Sequence, residues 1–295
     1  MQSNIPMTEE EKEASLKKKT FALAVKLTLY VICAGAFGAF TRWMQIMLAF
    51  DDKGLNVKSA WNVLMPLVII AAAFAFLYRI DDMKKHRYYA EAEMNVIFRR
   101  EGKLFMLIPW AFGALMFIGG AAFFLSAGGD RNEVLMRCIA VCAMAAGVSY
   151  PVLMNKYMEE KPNTTLLSLM AFFPILMFTL WLILTYKLNS INSIIWAYGV
   201  EILAVCAALM GFFRMAGFAF DRPEPWRAIF SCMFGAFLCI TALADSRSLG
   251  QQVIFIASAG MFVFDLWVMI TNLRQGEPHK KVSVDDGFEH IQYKV

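Results

Sequence analysis

Six side chains carry the candidate chemistry of this sequence: Glu201, Asp265, Arg42, Arg79, Arg214 and Tyr150. All lie in or beside long apolar stretches. A charge at the middle of a membrane helix costs roughly 2.5–3.5 kcal/mol by insertion scales, so it needs a partner, a water-filled cavity or a proton. Glu201 falls about 7 residues into its stretch, roughly 10 Å deep at 1.5 Å per residue. Arg42, Gln45 and Asn62 are its candidate partners, and Asp245 is placed to share the same cations. Glu201 is read either as a structural ion-pair partner or as a group for binding or proton movement. Asp265 lies about 14 residues into the last stretch, with Arg79, Arg214 and Tyr150 at corresponding points of the others. Two cations beside one acid suit an anionic group. The simpler reading pairs Asp265 with one arginine and lets the other snorkel to headgroups.

Other chemistries find little support. The six cysteines (Cys33, Cys138, Cys142, Cys206, Cys232 and Cys239) fall in apolar stretches without a C-x-x-C pair, and the three histidines lie in polar segments. Thiols acting as small apolar groups are expected, with no disulfide framework, metal or cofactor. The twenty methionines read as flexible packing. The chain contains no phosphate-binding loop, dinucleotide fingerprint, zinc-protease motif or nucleophile elbow. Ser149 stands beside Tyr150, but no histidine falls in an apolar stretch to serve as its base.

The elements that position these residues follow from composition. Of 295 residues, 59% are hydrophobic and 18% charged. The mean hydropathy is +0.53. Soluble domains are nearer a quarter charged. About 20 apolar residues span a bilayer, and eight windows qualify, near 21–41, 61–78, 104–125, 134–155, 165–186, 194–216, 228–245 and 251–273. The expected fold is therefore an all-α, polytopic transmembrane bundle of about eight spans. Residues 1–19 form an N-terminal segment, 20–274 the membrane domain with a basic loop at 79–103, and 275–295 a polar tail. Thr8 with Glu11 reads as a capping box opening a short surface helix. The first span is expected to be retained, since its flank is long and acidic before turning basic and Lys26 interrupts it.

Lysine and arginine are unevenly shared. With eight spans, 20 fall on the side of the termini and 7 on the other, with Lys26 inside the first span. The positive-inside rule then places both termini in the cytoplasm of a multi-pass cell-membrane protein. The net charge of +4 is mostly this topology signal and does not point to nucleic acid. Trp43, Trp61, Trp181, Trp196 and Trp226 fit an interfacial aromatic belt, whereas Trp110 and Trp267 read as packing.

Short signatures recur. Odd spans carry Ala36-Phe37-Gly38-Ala39, Ala111-Phe112-Gly113-Ala114, Ala171-Phe172-Phe173-Pro174 and Met233-Phe234-Gly235-Ala236. Even spans run from small residues into aromatics and stop at Arg79, Pro151, Arg214 and Asp265. Four helical hairpins of one pattern would explain this; the general Ala, Gly and Phe content of membrane helices is the alternative. Ala34/Gly38, Ala143/Gly147 and Ala207/Gly211 are small-xxx-small pairs suited to close crossings inside the bundle. Pro66, Pro151 and Pro174 are candidate kinks.

Outside the spans, the 79–103 loop is strongly basic, and Ala90, Met94 and Ile97 recur at helical spacing. An interfacial helix on anionic lipid and a plain positive-inside anchor are the two readings. Phe288, Ile291 and Tyr293 of the tail could dock a protein partner. Outer turns are expected at 51–54 and 126–130, too short for a folded module.

Three function classes remain. The first, preferred for its hairpin pattern, broken spans and intramembrane charges, is a carrier of a small molecule or ion, or its membrane subunit. The second is a structural, assembly or sensory subunit acting through the loop and tail. The third is an enzyme that modifies lipid. A continuous polar cavity at Glu201 or at the Arg214–Asp265 level would favour transport, and a dry Ala/Phe interior would favour the subunit.

Overall fold

The computed structural model describes residues 9–51, 54–55, 59–91, 93–100, 102–129, 132–159, 164–190, 194–220 and 222–276. Nine α-helices occur among them: α1 (Glu9–Ala49), α2 (Trp61–Lys85), α3 (Met94–Ile97), α4 (Lys103–Ser126), α5 (Glu133–Lys156), α6 (Thr164–Asn189), α7 (Gly199–Ala219), α8 (Pro225–Thr241) and α9 (Leu249–Thr271). All but α3 are long and apolar enough to cross a membrane. The chain is an integral membrane protein built as an all-α bundle.

Several boundaries correct the expectations from sequence. α1 is one helix of 41 residues, about 60 Å long at 1.5 Å per residue. It begins outside any 20-residue apolar span and runs past residue 41, so Arg42 and Gln45 lie on the helix itself. Thr8 lies outside the described residues, as do Phe288, Ile291 and Tyr293. The sixth span starts at Gly199, preceded by a 3-10 turn over Ile195–Ala197. Glu201 thus stands in the first turn of α7, where a helix dipole favours an acid, and not two turns inside. Among the described residues of the 79–103 region there is no long interfacial helix: α2 continues to Lys85, and α3 has four residues. A strand β3 (Tyr88–Tyr89) pairs antiparallel with β4 (Arg274–Gln275). A second two-residue ribbon at Phe50–Asp51 and Gly54–Leu55 closes the α1–α2 connection.

Helices α1, α8, α7, α6, α5, α4 and α9 make a ring of successive contacts, with α8 and α9 also touching across it and α2 packed outside on α1 and α8. The most apolar window of α9 is 72% buried, against 22% for α2. The four hairpins therefore do not share one packing role. α2 instead presents Val63, Leu67, Ile70 and Phe74 outward as a lipid-type face.

Small residues hold the ring together. With lipid as solvent, close backbone approach and dispersion replace hydrophobic exclusion as the force between helices. A β-carbon on Gly147 would lie 2.5 Å from the Gly113 carbonyl of α4, and a β-carbon on Gly113 would collide with the Gly147 carbonyl in turn. Phe262 of α9 wedges between Gly211 of α7 and Gly235 of α8, 2.6 and 3.0 Å from the β-carbons those residues lack. Gly38 of α1 faces Phe237 and Thr241 of α8. All three small-xxx-small pairs thus serve contacts inside the chain. Cys232 and Cys239 are buried, whereas Cys33, Cys138 and Cys206 face outward within their helices. Trp181 is fully buried among Phe123, Phe178 and Phe255 and is no belt residue. Trp110, expected to pack, is half exposed.

Candidate functional site

Polar side chains gather at opposite ends of the bundle. One end carries the N-terminus of α1, the 86–100 segment and the C-terminus of α9, and is here called the basic end. The other carries the 3-10 turn before α7 and the α8–α9 connection.

At that other end four charges form a chain, Arg42 and Asp245 buried and Arg247 and Glu201 nearly so. Arg42 Nε donates to Asp245 Oδ1 at 2.6 Å, Arg247 Nη2 reaches Asp245 Oδ2 at 2.6 Å, and Arg247 Nη1 lies 2.7 Å from Glu201 Oε2. Glu201 Oε1 accepts from Trp181 Nε1 at 2.9 Å and from Thr185 Oγ1 at 3.0 Å. Arg42 also donates to Gln45 Oε1 and to the Trp196 carbonyl, and Gln45 passes a bond to Asn62. Two cations and two anions cancel, which is what a low-dielectric setting demands.

Local structure explains the convergence. Ser248 caps α9, accepting from the Gln251 amide while its hydroxyl bonds the Gln251 side chain. This capping arrangement fixes Arg247 immediately before the helix. The 3-10 turn before α7 offers its carbonyls to Arg42. Burial works against the Arg247 cation, but Glu201 and Asp245 overcome it and raise its pKa above the ordinary guanidinium value. The residues expected around Glu201 are thus all in one network, with Arg42 bound to Asp245 and Arg247 as the bridge. Arg247 lay in a polar loop of the sequence and showed no signal beyond its charge.

The basic end is satisfied only in part. Asp265, 1% exposed, accepts from the Tyr150 hydroxyl through Oδ1 at 2.8 Å, while Oδ2 has no hydrogen-bond partner. A void of about 10 Å³ adjoins it, lined also by Ser149, Tyr150, Met154 and Pro174. That is room for about one water.

Neither Arg79 nor Arg214 pairs with Asp265. Arg214 pairs with Glu224, which also binds Arg227. Arg79 stacks over Tyr30. The cation beside Asp265 is instead Arg100, 7% exposed, whose Nη2 donates to the Met154 carbonyl at 2.6 Å and to Asn155 Oδ1. Its Nε and Nη1 lack partners, and its guanidinium lies over Phe264. Burial lowers the pKa of Arg100, opposed by Tyr150 and Asp265.

Arg100 reaches this place because residues 97–100 are wedged into the mouth of the bundle. Phe98 is fully buried, stacked on Tyr157 and edge-on to Phe218. Asn272 Nδ2 holds the segment by donating to the carbonyls of Ile97 and Arg99. Beside it, the 86–89 turn is joined to the start of the tail. β3 pairs with β4, Gln275 donates to the His86 carbonyl, the Gly276 amide donates to Arg87, and Arg274 lies 2.9 Å from Glu91. Loop and tail root form one hydrogen-bonded plate.

Between this plate and the first turns of α1 runs an open groove of about 760 Å³. Its described walls carry Lys12, Lys17, Lys19, Arg99 and Arg274, with Glu13 as the one acid among the described lining residues. Among the described residues no cluster of His, Cys, Asp and Glu could hold a metal ion.

The fold and these two polar ends define a polytopic helical membrane protein with a charge-balanced ion-pair network at one end, in which Arg247 Nε alone of the guanidinium nitrogens of Arg247 lacks a partner, and an open basic surface at the other. Comparisons with protein-family models, curated proteins and solved structures returned no match.

Proposed function

We propose that this chain is a structural, assembly or sensory membrane subunit that works through the plate formed by its 86–100 loop and tail root. The observation that carries this reading is the joining of the two segments: β3–β4 pairing, the Asn272 bonds and the buried Phe98 tie the extramembrane surface rigidly to the helices. A partner docking there would feel, and bias, the packing of α5, α7 and α9. Apart from the small void at Asp265, the bundle interior beneath is packed by apolar side chains, Ala, Phe and Met prominent among them, which supports the subunit reading. By the lysine and arginine bias, the plate faces the cytoplasm of a cell membrane. Reporter fusions at residues 90 and 130 test that placement, and equal accessibility from outside at residue 90 would reverse it. For the function, the full chain purified from its native membrane should carry a stoichiometric partner that Lys84→Glu with Arg87→Glu releases. A partner-free chain from gently solubilised membranes would count against it.

Transport of a small ion is the second reading, favoured by the free Asp265 oxygen and its void beneath Phe98 and Arg100. It requires the 97–100 wedge to withdraw. Liposomes holding the purified chain should then show a flux that Asp265→Asn abolishes and Glu201→Gln reduces; flux unchanged by both substitutions would remove this reading.

A further inference from the structure

We infer that the groove at the basic end is a binding site for the phosphate headgroup of an anionic membrane lipid, an inference that rests on the plate being the working surface of the protein. The groove has the size of a small-ligand site, typically about 300–1,000 Å³, and here it is about 760 Å³. Its charge is one-sided. Among the described residues five cations line it against Glu13; Glu91 engages Arg274, Lys12 and Arg99 make contacts of their own, and Lys17 and Lys19 carry the excess. Lys17 and Lys19 are exposed, and the Lys17–Glu13 pair is long at 3.9 Å between two exposed side chains, so it holds the ammonium weakly.

Depth argues for a lipid. Thr20 and Thr271, which line the groove, close the α1–α9 contact through a 3.1 Å bond. They stand where the apolar stretches of both helices end, which is headgroup level for a spanning pair. Immediately below, Phe21 is 52% exposed and packs edge-to-face on Trp267 at 5.3 Å. A cationic groove opening onto an exposed aromatic step matches the two halves of a phospholipid: phosphate above, acyl chain along Phe21 and Trp267. Lys26 is exposed on α1 two turns deeper. Helical side chains tilt toward their helix N-terminus, so its ammonium extends to the same level. A soluble phosphate compound would use the cations and leave the aromatic step without a role.

The test uses the full chain in mixed micelles containing phosphatidylglycerol and phosphatidylcholine, read by native mass spectrometry and by thermal shift. Phosphatidylglycerol should be retained preferentially and should raise the melting temperature. Lys17→Gln, Lys19→Gln and Arg274→Gln should each weaken retention roughly fivefold, the scale expected for one surface cation near an anionic headgroup. Lys18→Gln, an exposed neighbour that does not line the groove, should leave it unchanged. Phe21→Ser should weaken lipid retention without altering any effect of inorganic phosphate.

Equal retention of both lipids, or an equal loss in the Lys18 variant, overturns the proposal. So does the same thermal shift from inorganic phosphate alone, which would assign the groove to a free anion. Displacement of the lipid by a peptide of residues 283–295 in the absence of bulk lipid competition would assign it to the acidic part of the tail instead, and also overturns it. Partner retention measured on the same variants separates the outcomes. Lipid retention that the groove variants leave unchanged, in a chain that carries its partner, sinks only the lipid site, and an unaltered chain that prefers phosphatidylglycerol but carries no partner sinks only the subunit reading.

Discussion

The two ends of the bundle solve the same problem in different ways. Around Asp245, four charges, Arg42 and Asp245 buried and Arg247 and Glu201 nearly so, are matched one against one; both oxygens of each carboxylate are occupied, and Arg247 Nε is left without a partner. Around Asp265, the acid holds one tyrosine and leaves an oxygen unused, while Arg100 spends one nitrogen on Met154 and Asn155 and leaves two unused. Both acids are almost wholly buried. What differs is what surrounds them. The first set is supplied by helix ends and a capped connection that are themselves fixed by secondary structure. The second depends on a short wedge, residues 97–100, inserted from outside the spans. A closed network resists change, whereas a half-satisfied one leaves room for a water, a ligand or a rearrangement. The contrast teaches that burial of a charge does not by itself leave it unsatisfied: both oxygens of Asp245 bind an arginine, and Asp265 keeps one oxygen unused.

The largest effect should come from breaking the closed end. Asp245→Ala leaves Arg42 and Arg247 buried with no shared anion, a loss of about 3–5 kcal/mol for one partner of a buried pair. Reversible unfolding in detergent micelles measures it, and the midpoint should fall well below that of the unaltered chain. The charge-balanced double variant Arg247→Met with Glu201→Gln should cost less than either single change, because neither partner is left alone. Strict additivity of the two would show that the network is not a coupled unit. Next comes Phe98→Ala, which removes a fully buried ring from between Tyr157 and Phe218 and should cost about 3 kcal/mol. Its signature should be regional: hydrogen exchange should rise at residues 94–100 and 272–276, while the 242–250 connection stays protected. Uniform loss of protection would erase the distinction between the ends.

Much of the architecture was legible because hydrocarbon imposes a length and an apolarity that no other setting does. All eight spanning windows match helices, and Gly38, Gly147 and Gly211 sit at close crossings. The polar ends were legible by membership more than by pairing. Glu201, Arg42, Gln45, Asn62 and Asp245 were grouped correctly because they share one side of the topology. Arg247 was missed as the bridge because a loop arginine two residues from an acid looks solvated. Arg100 was hidden among a run of basic residues whose surplus already had an explanation in topology. Nothing in local spacing says that Arg99 faces a groove while Arg100 turns into the bundle; that follows from Phe98 and Asn272, which are contacts between residues more than 50 positions apart. The expected gathering of Arg79 and Arg214 at Asp265 failed for a related reason. Corresponding positions in similar hairpins share a depth at best, and α2 lies outside the ring.

The smallest expected effect sharpens the comparison most. Asp265→Asn keeps an acceptor for the Tyr150 hydroxyl, removes a buried formal charge, and offers an amide toward the void where Oδ2 now has no partner. Two losses oppose one gain: attraction to Arg100 falls and the amide needs an acceptor, but the desolvation of a carboxylate disappears. Because Arg100 makes no direct ion pair with this acid, the balance should stay within about 1 kcal/mol of the unaltered chain, of either sign. Asp245→Asn, the same chemical change in an acid whose two oxygens each bind an arginine, should destabilise the fold several times more. Measuring both variants in one detergent makes the ratio independent of the micelle. If Asp265→Asn proves as damaging as Asp245→Asn, then Asp265 is as fully committed to partners as Asp245, and the basic end has no spare valence with which to act.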